Sequence, residues 1–418
     1  MSIVSIHEIK LSEKNEKRWL DTLARKSVHK ILSYLSIGRL VIEENGEIYT
    51  FGQEQHEADL VVNVTVHNPA VYADVLFNGT IGSGESYMLE YWTTPDLLKM
   101  IRLMVLNMAV IDKMDNRFSL LGSASSLAYR LVKRNTKNGS RRNIGAHYDL
   151  GNDFFNLFLD QQMMYSSAIY PTWESSLTEA AEHKLKAICE KLQLKTEDHL
   201  LEIGTGWGGM AIYAAKNYGC RVTTTTISRQ QYDHAKAWIE REGLQDRIEL
   251  LLKDYRDLTG QYDKLVSIEM IEAVGHRFYR TYFRKCSSLL RENGLMLIQT
   301  ITIPDQRYQQ AKKAVDFIQK YIFPGGCLPS HEVIAKNVSN HTNLQIIHME
   351  DITAHYARTL ADWRQRFSAR SEEVKAQGFN STFIKMWEFY LCYCEGGFTE
   401  RVIGTAQFVF AKPEVRFV

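Results

Sequence analysis

The sequence predicts an α/β fold, a mixed but mostly parallel sheet with helices on both faces, behind a smaller N-terminal α+β domain. Three observations predict it. From about residue 144 onward, strand-type and helix-type runs alternate, the pattern of a parallel sheet covered by helices. A glycine-rich loop joins one of those strands to the helix after it. A last strand-type run, Thr405–Ala411, follows a long helical region, Ser371–Cys394, and suits an antiparallel strand inserted late in the sheet.

Taken in order, the chain reads as three blocks, with boundaries at 1–128, 129–143 and 144–418. In the first, short β-type runs recur from Val41 to about Phe77. LVIEENGEIYTF reads as a hairpin turning at Asn45-Gly46, and DLVVNVTVHNP alternates and stops at Pro69. A helical run from Pro95 to Ile111 places Leu97, Leu98, Ile101, Val105 and Met108 on one face. The second block, a linker, carries Arg130, Lys133, Arg134, Lys137, Arg141 and Arg142 with no acidic residue between Tyr129 and Arg142. It reads either as a solvated connector or as a contact for anionic lipid headgroups. In the third block the expected strands are His199–Ile203, Arg221–Ile227, Ile248–Lys253, Lys264–Met270 and Leu295–Ile303, with helices such as Leu177–Leu192 and Gln230–Glu242 between them.

Composition narrows the function classes. A chain of 418 residues suits two or three domains. Its formal net charge of +1 gives no global field for nucleic acid, and no stretch of 18 apolar residues is present to span a bilayer. The charged start, MSIVSIHEIKLSEKNEKRWL, does not read as a signal peptide. All six cysteines follow residue 188 at irregular spacing, and no histidine spacing such as H-E-x-x-H occurs, so neither disulfides nor a metal is expected.

The strongest local signal is HLLEIGTGWGGMAIYAA. A strand ends at Glu202-Ile203, and Gly204, Gly206, Gly208 and Gly209 open a helix. Glycines let the backbone turn sharply and approach a ligand without Cβ clashes. Ligands of open α/β sheets bind outside the carboxyl ends of the strands. Gly204-x-Gly206-x-x-Gly209 matches the dinucleotide fingerprint, but that site wants a carboxylate about 20 residues on. No Asp or Glu lies from Cys220 to Gln231. An acid two residues before the first glycine, here Glu202, fits S-adenosylmethionine better.

Six segments in order then resemble the cyclopropane fatty acid synthase family, which includes mycolic acid cyclopropane synthases and fatty acid methyltransferases. They are NIGAHYDLGNDFFNLFLDQQMMYSSAIY, LLEIGTGWGGMAIYAA with VTTTTISRQQ, IEMIEAVGHRFYRTYF, YIFPGGCLPS, AHYARTLADW and YLCYCEGGF. The resemblance runs from about residue 143 to the end. It implies the class I S-adenosylmethionine-dependent methyltransferase fold, Rossmann-like, with a mixed seven-stranded sheet. It implies an enzyme that adds a methyl or methylene carbon to cis double bonds in unsaturated phospholipid acyl chains. The alkene has no proton to remove, so positioning and stabilisation of a carbocation carry the catalysis. In the family a bound bicarbonate then takes a proton as the ring closes.

By this resemblance Tyr165, Ser166, Gly204, Gly206, Gly208, Thr226, Ile227 and Gln231 touch S-adenosylmethionine, Glu202 belonging to the same loop. The Thr226 hydroxyl and Gln231 would serve its ribose or methionine groups, while Thr223 and Thr224 remain ordinary buried strand. Glu272 matches the glutamate that orients bicarbonate or senses the cation. A helix-dipole role is its alternative, and Glu269, one turn earlier, is the less favoured carboxylate. Tyr356 matches a tyrosine of the same pocket, though alone it reads equally as a packing residue. Ile301 matches a position whose backbone contacts bicarbonate. Cys394 matches a proposed nucleophile, but this chemistry needs none, so a buried thiol is the better physical reading.

Two residues depart from the family pattern. Ser167 stands where many synthases have the cysteine of YSCAY, and Gln299 where they have the histidine of LLHTI. Both still donate hydrogen bonds, but glutamine does not titrate. A re-aimed proton loss would give a methyl-branched or methylene-bearing chain in place of a ring. The resemblance also implies a cytoplasmic enzyme at the inner membrane surface, docking through the apolar helix or the basic linker, and a homodimer through the N-terminal domain. Methyl transfer to another hydrophobic acceptor and a non-catalytic lipid-binding role are the competing classes.

Overall fold

The computed structural model describes residue 11 and residues 18–52, 60–109, 135–136, 139–140 and 150–416. All six basic residues of the expected linker, and residues 143–149 of the signature segment, lie outside the described residues.

Contacts divide the chain into two compact units. The first comprises Met1–Val132, Val315–Ile322 and Arg364–Val402; the second comprises Lys133–Ala314, Phe323–Trp363 and Ile403–Val418.

The first unit holds a four-stranded sheet of β1 (Arg39–Glu44), β2 (Glu47–Gly52), β3 (Val61–Val66) and β4 (Trp92–Thr93), in the order β2-β1-β3-β4. The expected hairpin is β1–β2. Asn45 (φ 52°) and Gly46 (φ 82°) both take positive φ, as the tightest two-residue turns require. The β-type runs do not extend to Phe77. Pro69 ends the alternation and caps a helix, Ala70–Met88, that the sequence analysis missed. That helix has no clear apolar stripe: buried positions include Tyr72, Leu76, Gly82, Gly84 and Tyr87. A Cβ on Gly84 would sit 2.4 Å from the Phe317 ring, so the glycine is needed for that approach.

The sequence boundary at residue 144 assigned everything after it to one domain. Arg364–Val402 instead folds with the first unit. The cause is packing: helix Ser381–Thr399 lies against Ala70–Met88 and Leu97–Leu106. Tyr87 donates to Glu388 at 2.9 Å, Arg102 pairs with Glu400, and Gly396 admits Ile101. The long helical region is itself two helices, Ser371–Ala376 and Ser381–Thr399. The apolar helix expected over Pro95–Ile111 runs from Leu97 to Leu106, N-capped by Asp96, with Leu97, Ile101 and Leu103 buried.

The second unit is built on a seven-stranded sheet. Its strands are β5 (His199–Ile203), β6 (Arg221–Thr226), β7 (Ile248–Leu252), β8 (Tyr262–Ile268), β9 (Leu290–Thr302), β10 (Gln345–Asp351) and β11 (Gly404–Ala411). The order is β10-β11-β9-β8-β5-β6-β7. β5 to β9 run parallel, and β11 is antiparallel to both β9 and β10. Helix Leu177–Lys191 precedes β5, Gly209–Tyr218 joins β5 to β6, and Arg229–Arg241 joins β6 to β7. The strand order reverses between β5 and β8, which is where ligands of such sheets bind. Strand β10 was not expected: nearly all its residues are exposed, so it lacks the alternation that marks a half-buried strand. Among the described residues no helix is long and apolar enough to cross a membrane.

Buried Asn107 closes the Leu97–Leu106 helix. Its Oδ1 accepts from Ser36 N (2.9 Å) and Ile37 N (3.2 Å), and its amide donates to Ile37 O (2.8 Å) and Leu103 O (2.9 Å). Asn107→Ala leaves these buried groups unpaired, and chemical denaturation is expected to show a loss of about 2 kcal/mol.

Candidate active site

At the carboxyl end of β5 the glycine loop turns through three left-handed residues, Gly204 (φ 104°), Gly206 (φ 53°) and Gly208 (φ 107°). A Cβ on Gly206 would meet nothing within 4 Å, so the loop opens on free space. Gly209 serves packing, since a Cβ there would lie 2.6 Å from Gln162 O. Glu202 does not point its carboxyl at that opening as a lone acceptor. It is buried and accepts from Thr224 Oγ1 at 2.6 Å, while Thr224 also meets Thr205 Oγ1 at 2.7 Å. Burial pushes the Glu202 carboxyl up to about 8. Its visible work is to pin the loop to β6. Thr224, read as plain strand, is its partner.

Beyond β6, the Thr226 hydroxyl donates to Gln231 Oε1 at 2.9 Å, and Ser228 caps helix Arg229–Arg241 by accepting from Gln231 N. Ile227 is half-buried between them. An open glycine cradle beside a neutral hydroxyl–amide pair fits S-adenosylmethionine, and these are the residues that would hold it.

Tyr165 and Ser166 lie on the segment facing this loop. The Tyr165 ring sits 5.2 Å from both Phe155 and Trp363, and 6.2 Å from Phe323. Ser166 Oγ accepts from Lys184 Nζ at 2.7 Å. Lys184 is fully buried, and burial pulls its ammonium down to about 8 against the pull of Glu269 and Asp160. The sequence analysis missed Lys184, although a signal was there. It falls with Leu177, Ala180, Ala181, Leu185 and Ile188 on the buried stripe of helix Leu177–Lys191, where a lysine is rarely placed without a partner.

Past β8, two carboxyls share one region. Glu269 takes φ 47°, a left-handed conformation uncommon outside glycine. Its Oε1 accepts from Ser167 N (2.9 Å) and Gln299 Nε2 (2.8 Å), and its Oε2 from the Tyr356 hydroxyl (2.8 Å). Gln299 also donates to Ser167 O and accepts from Gln407. The Ser167 hydroxyl turns to the Ala168 carbonyl. Glu272 Oε1 accepts from Ile301 N (2.6 Å) and Thr300 Oγ1 (2.8 Å), while its Oε2 is buried without a hydrogen bond. Burial, then the charge of Glu269, push Glu272 up to about 8. Burial also raises Glu269, opposed by its three donors and Lys184. Tyr356 packs edge-on against Trp363 at 6.2 Å, which joins the carboxyls to the aromatic cluster.

The structure therefore brings together Ser167, Gln299, Ile301, Glu272 and Tyr356 as the sequence grouped them, around a residue the sequence ranked second, Glu269. Cys394 belongs to the first unit, on helix Ser381–Thr399, and burial raises its thiol far above the range of a reactive cysteine. Among the described residues no His, Cys, Asp and Glu group is arranged to hold a metal.

Residues 135–408 match the family profile described as mycolic acid cyclopropane synthetase. The chain is 36% identical over 375 residues to the tuberculostearic acid methyltransferase of Mycobacterium tuberculosis, covering 87% of each. It is 38% identical over 352 residues to the cyclopropane-fatty-acyl-phospholipid synthase of Escherichia coli, covering 84% of this chain and 88% of that one. Among solved structures, a cyclopropane synthase from Mycobacterium tuberculosis superposes with a TM-score of 0.61 at 28% identity, over 65% of this chain and 98% of that one. A mycolic acid cyclopropane synthase in complex with SAH and CTAB gives 0.61 at 29%, with the same coverage.

Two outcomes test the site. Gly206→Val places a branched side chain in the open cradle and strains a positive φ, and calorimetry should show S-adenosylmethionine binding weakened by about tenfold or more. Glu202 keeps its proton in the native state up to about pH 8, whereas the unfolded chain releases it near an ordinary glutamate value. The native state binds more protons across that window, so stability falls as pH rises from about 5 to 8. Glu202→Gln should flatten that fall by up to about 1.4 kcal/mol per pH unit, read from denaturation curves across the window.

Proposed function

The chain belongs to the mycolic acid cyclopropane synthetase family, and on that premise we propose that it transfers a methyl carbon to the cis double bond of unsaturated acyl chains in membrane phospholipids, forming cyclopropane chains. The observation that carries this reading is the pair of sequestered carboxyls, Glu269 and Glu272, beside the aromatic cluster of Tyr165, Tyr356 and Trp363. S-adenosylmethionine, when bound, supplies an electrophilic methyl carbon. The chain's own residues do the rest. The glycine loop and the Thr226–Gln231 pair orient the donor. Aromatic faces favour positive charge on the acyl chain. Negative charge held on the Glu269–Glu272 pair offsets it where water is excluded, an arrangement worth far more there than in bulk solvent.

A second reading has its own support. Gln299 spends its amide on Glu269 and Ser167 and cannot exchange protons, and a relative of 36% identity is named a tuberculostearic acid methyltransferase. In that reading the product is methyl-branched or methylene-bearing. The first unit is assigned to docking at the inner membrane surface, alone or as a homodimer. Exposed Leu23, Tyr34 and Ile48 in that unit support an apolar contact.

The experiment is mass analysis of fatty esters after incubation with S-adenosylmethionine and liposomes of cis-unsaturated, partly anionic phospholipid. Gain of one methylene equivalent is expected, and the product should resist mild catalytic hydrogenation. Uptake of hydrogen selects the second reading. No gain, with cofactor binding intact, overturns both.

A further inference from the structure

The family resemblance calls for bicarbonate held by Ser167, Gln299, Ile301, Glu272 and Tyr356. The residues present do not fit it. The Ser167 N–H, the Gln299 amide and the Tyr356 hydroxyl all donate to Glu269, and the Ile301 N–H donates to Glu272. The Ser167 hydroxyl is turned to a backbone carbonyl. An anion entering here would find these donors taken and the Glu269 carboxylate as its neighbour, a like-charge encounter in a poorly solvated place.

We propose that the Glu269 carboxylate is itself the proton acceptor of the reaction, a base built into the chain where the resemblance calls for a dissolved anion. The backbone at this position supports the assignment. Glu269 holds φ 47°, a conformation that is unfavourable for a non-glycine residue and persists where the surroundings over-determine it. Three donors and the nearby Lys184 ammonium favour the charged form against the rise that burial imposes. Its neighbour Glu272 is raised as well, by burial and by Glu269 itself, and has donors on one oxygen only. Of the two carboxyls, Glu269 is the one whose two oxygens are both supplied with donors, which suits it to hold charge and then accept a proton.

The inference rests on the acyl-chain reading above. As the methyl–sulfur bond breaks, a carbon–carbon bond forms to one alkene carbon and the other becomes cationic. Glu269 then takes one proton. If it comes from the transferred methyl, the C–H electron pair closes the ring. If a hydride has first moved between the two former alkene carbons, the same pair forms a methylene. Either way the acyl chain is neutral again. The proton leaves Glu269 for solvent as product and S-adenosylhomocysteine depart.

The test uses the full chain as wild type, Glu269→Gln and Glu269→Gly. Glycine suits the left-handed backbone and empties the site; glutamine keeps its shape. In the first arm, isotope-labelled bicarbonate is added without lipid and its carbon NMR line width is read. No broadening is expected with wild type or Glu269→Gln, and broadening with Glu269→Gly. In the second arm, acyl methylation is assayed in carbonate-depleted buffer with and without added bicarbonate. Wild-type kcat should change less than about twofold. Both variants should lose about 100-fold or more in kcat while S-adenosylmethionine binding holds, and bicarbonate should restore Glu269→Gly by about tenfold or more and leave Glu269→Gln unchanged. Wild-type broadening, wild-type dependence on bicarbonate, or full activity in Glu269→Gln would overturn the inference. A wild type that methylates no lipid but shows the expected line widths tells against the acyl-chain reading and leaves Glu269 as the occupant of the anion pocket.

Discussion

The second unit is arranged around the burden of keeping negative charge out of water. A carboxylate removed from solvent is costly unless donors surround it, and Glu269 draws its donors from three separate stretches of chain: Ser167, Gln299 on β9, and Tyr356 on the helix after β10. Each stretch is held by something else. Gln299 is oriented from the other side by Gln407 of the antiparallel β11. The segment of Ser167 is tied through Ser166 to Lys184, and Tyr356 is braced by Trp363. The late strand of the sheet thus has a chemical use, because it fixes the far end of the amide that holds the charge.

The same logic explains why the donor loop and the carboxyl pair lie together. The parallel strands β5, β6 and β8 end side by side, and the chain crosses over between β5 and β8. Glycines 204, 206 and 208 take the turn at the first of these ends, and Glu269 with Glu272 follow the last. Glu202 and Thr224 tie the loop to the neighbouring strand from within the sheet. Positioning of the reactants, which is most of what this chemistry asks of a protein, is therefore a property of the sheet more than of flexible loops.

Much of this was legible in the residues. The hairpin at Asn45-Gly46, the five parallel strands and the glycine loop follow from local patterns, while the grouping of Ser167, Gln299, Ile301, Glu272 and Tyr356 came from the family resemblance alone. What escaped has a physical reason in each case. The helix Ala70–Met88 is broken by a kink at Gly79 (φ 52°, ψ −129°), and β10 is exposed on both sides, so neither shows a single period. Glu269 was ranked behind Glu272 because a sequence shows neighbours along the chain, whereas its importance comes from donors more than 30 residues away on either side, apart from Gln299 at 30. Lys184 was visible as a cation on an apolar face and was passed over. The fate of Arg364–Val402 depended on which apolar surface would complete its helix, and no local pattern states that.

That last feature bears on how the protein is made. The first unit draws its helices from residues before 132 and from residues up to 402 of a 418-residue chain. The N-terminal part is synthesised before Ser381–Thr399 emerges, so the faces of Ala70–Met88 and Leu97–Leu106 that it covers stay uncovered until then. Domains usually fold in order as they appear; here the first unit cannot close until residues 381–399 have followed strands β5 to β10 of the second.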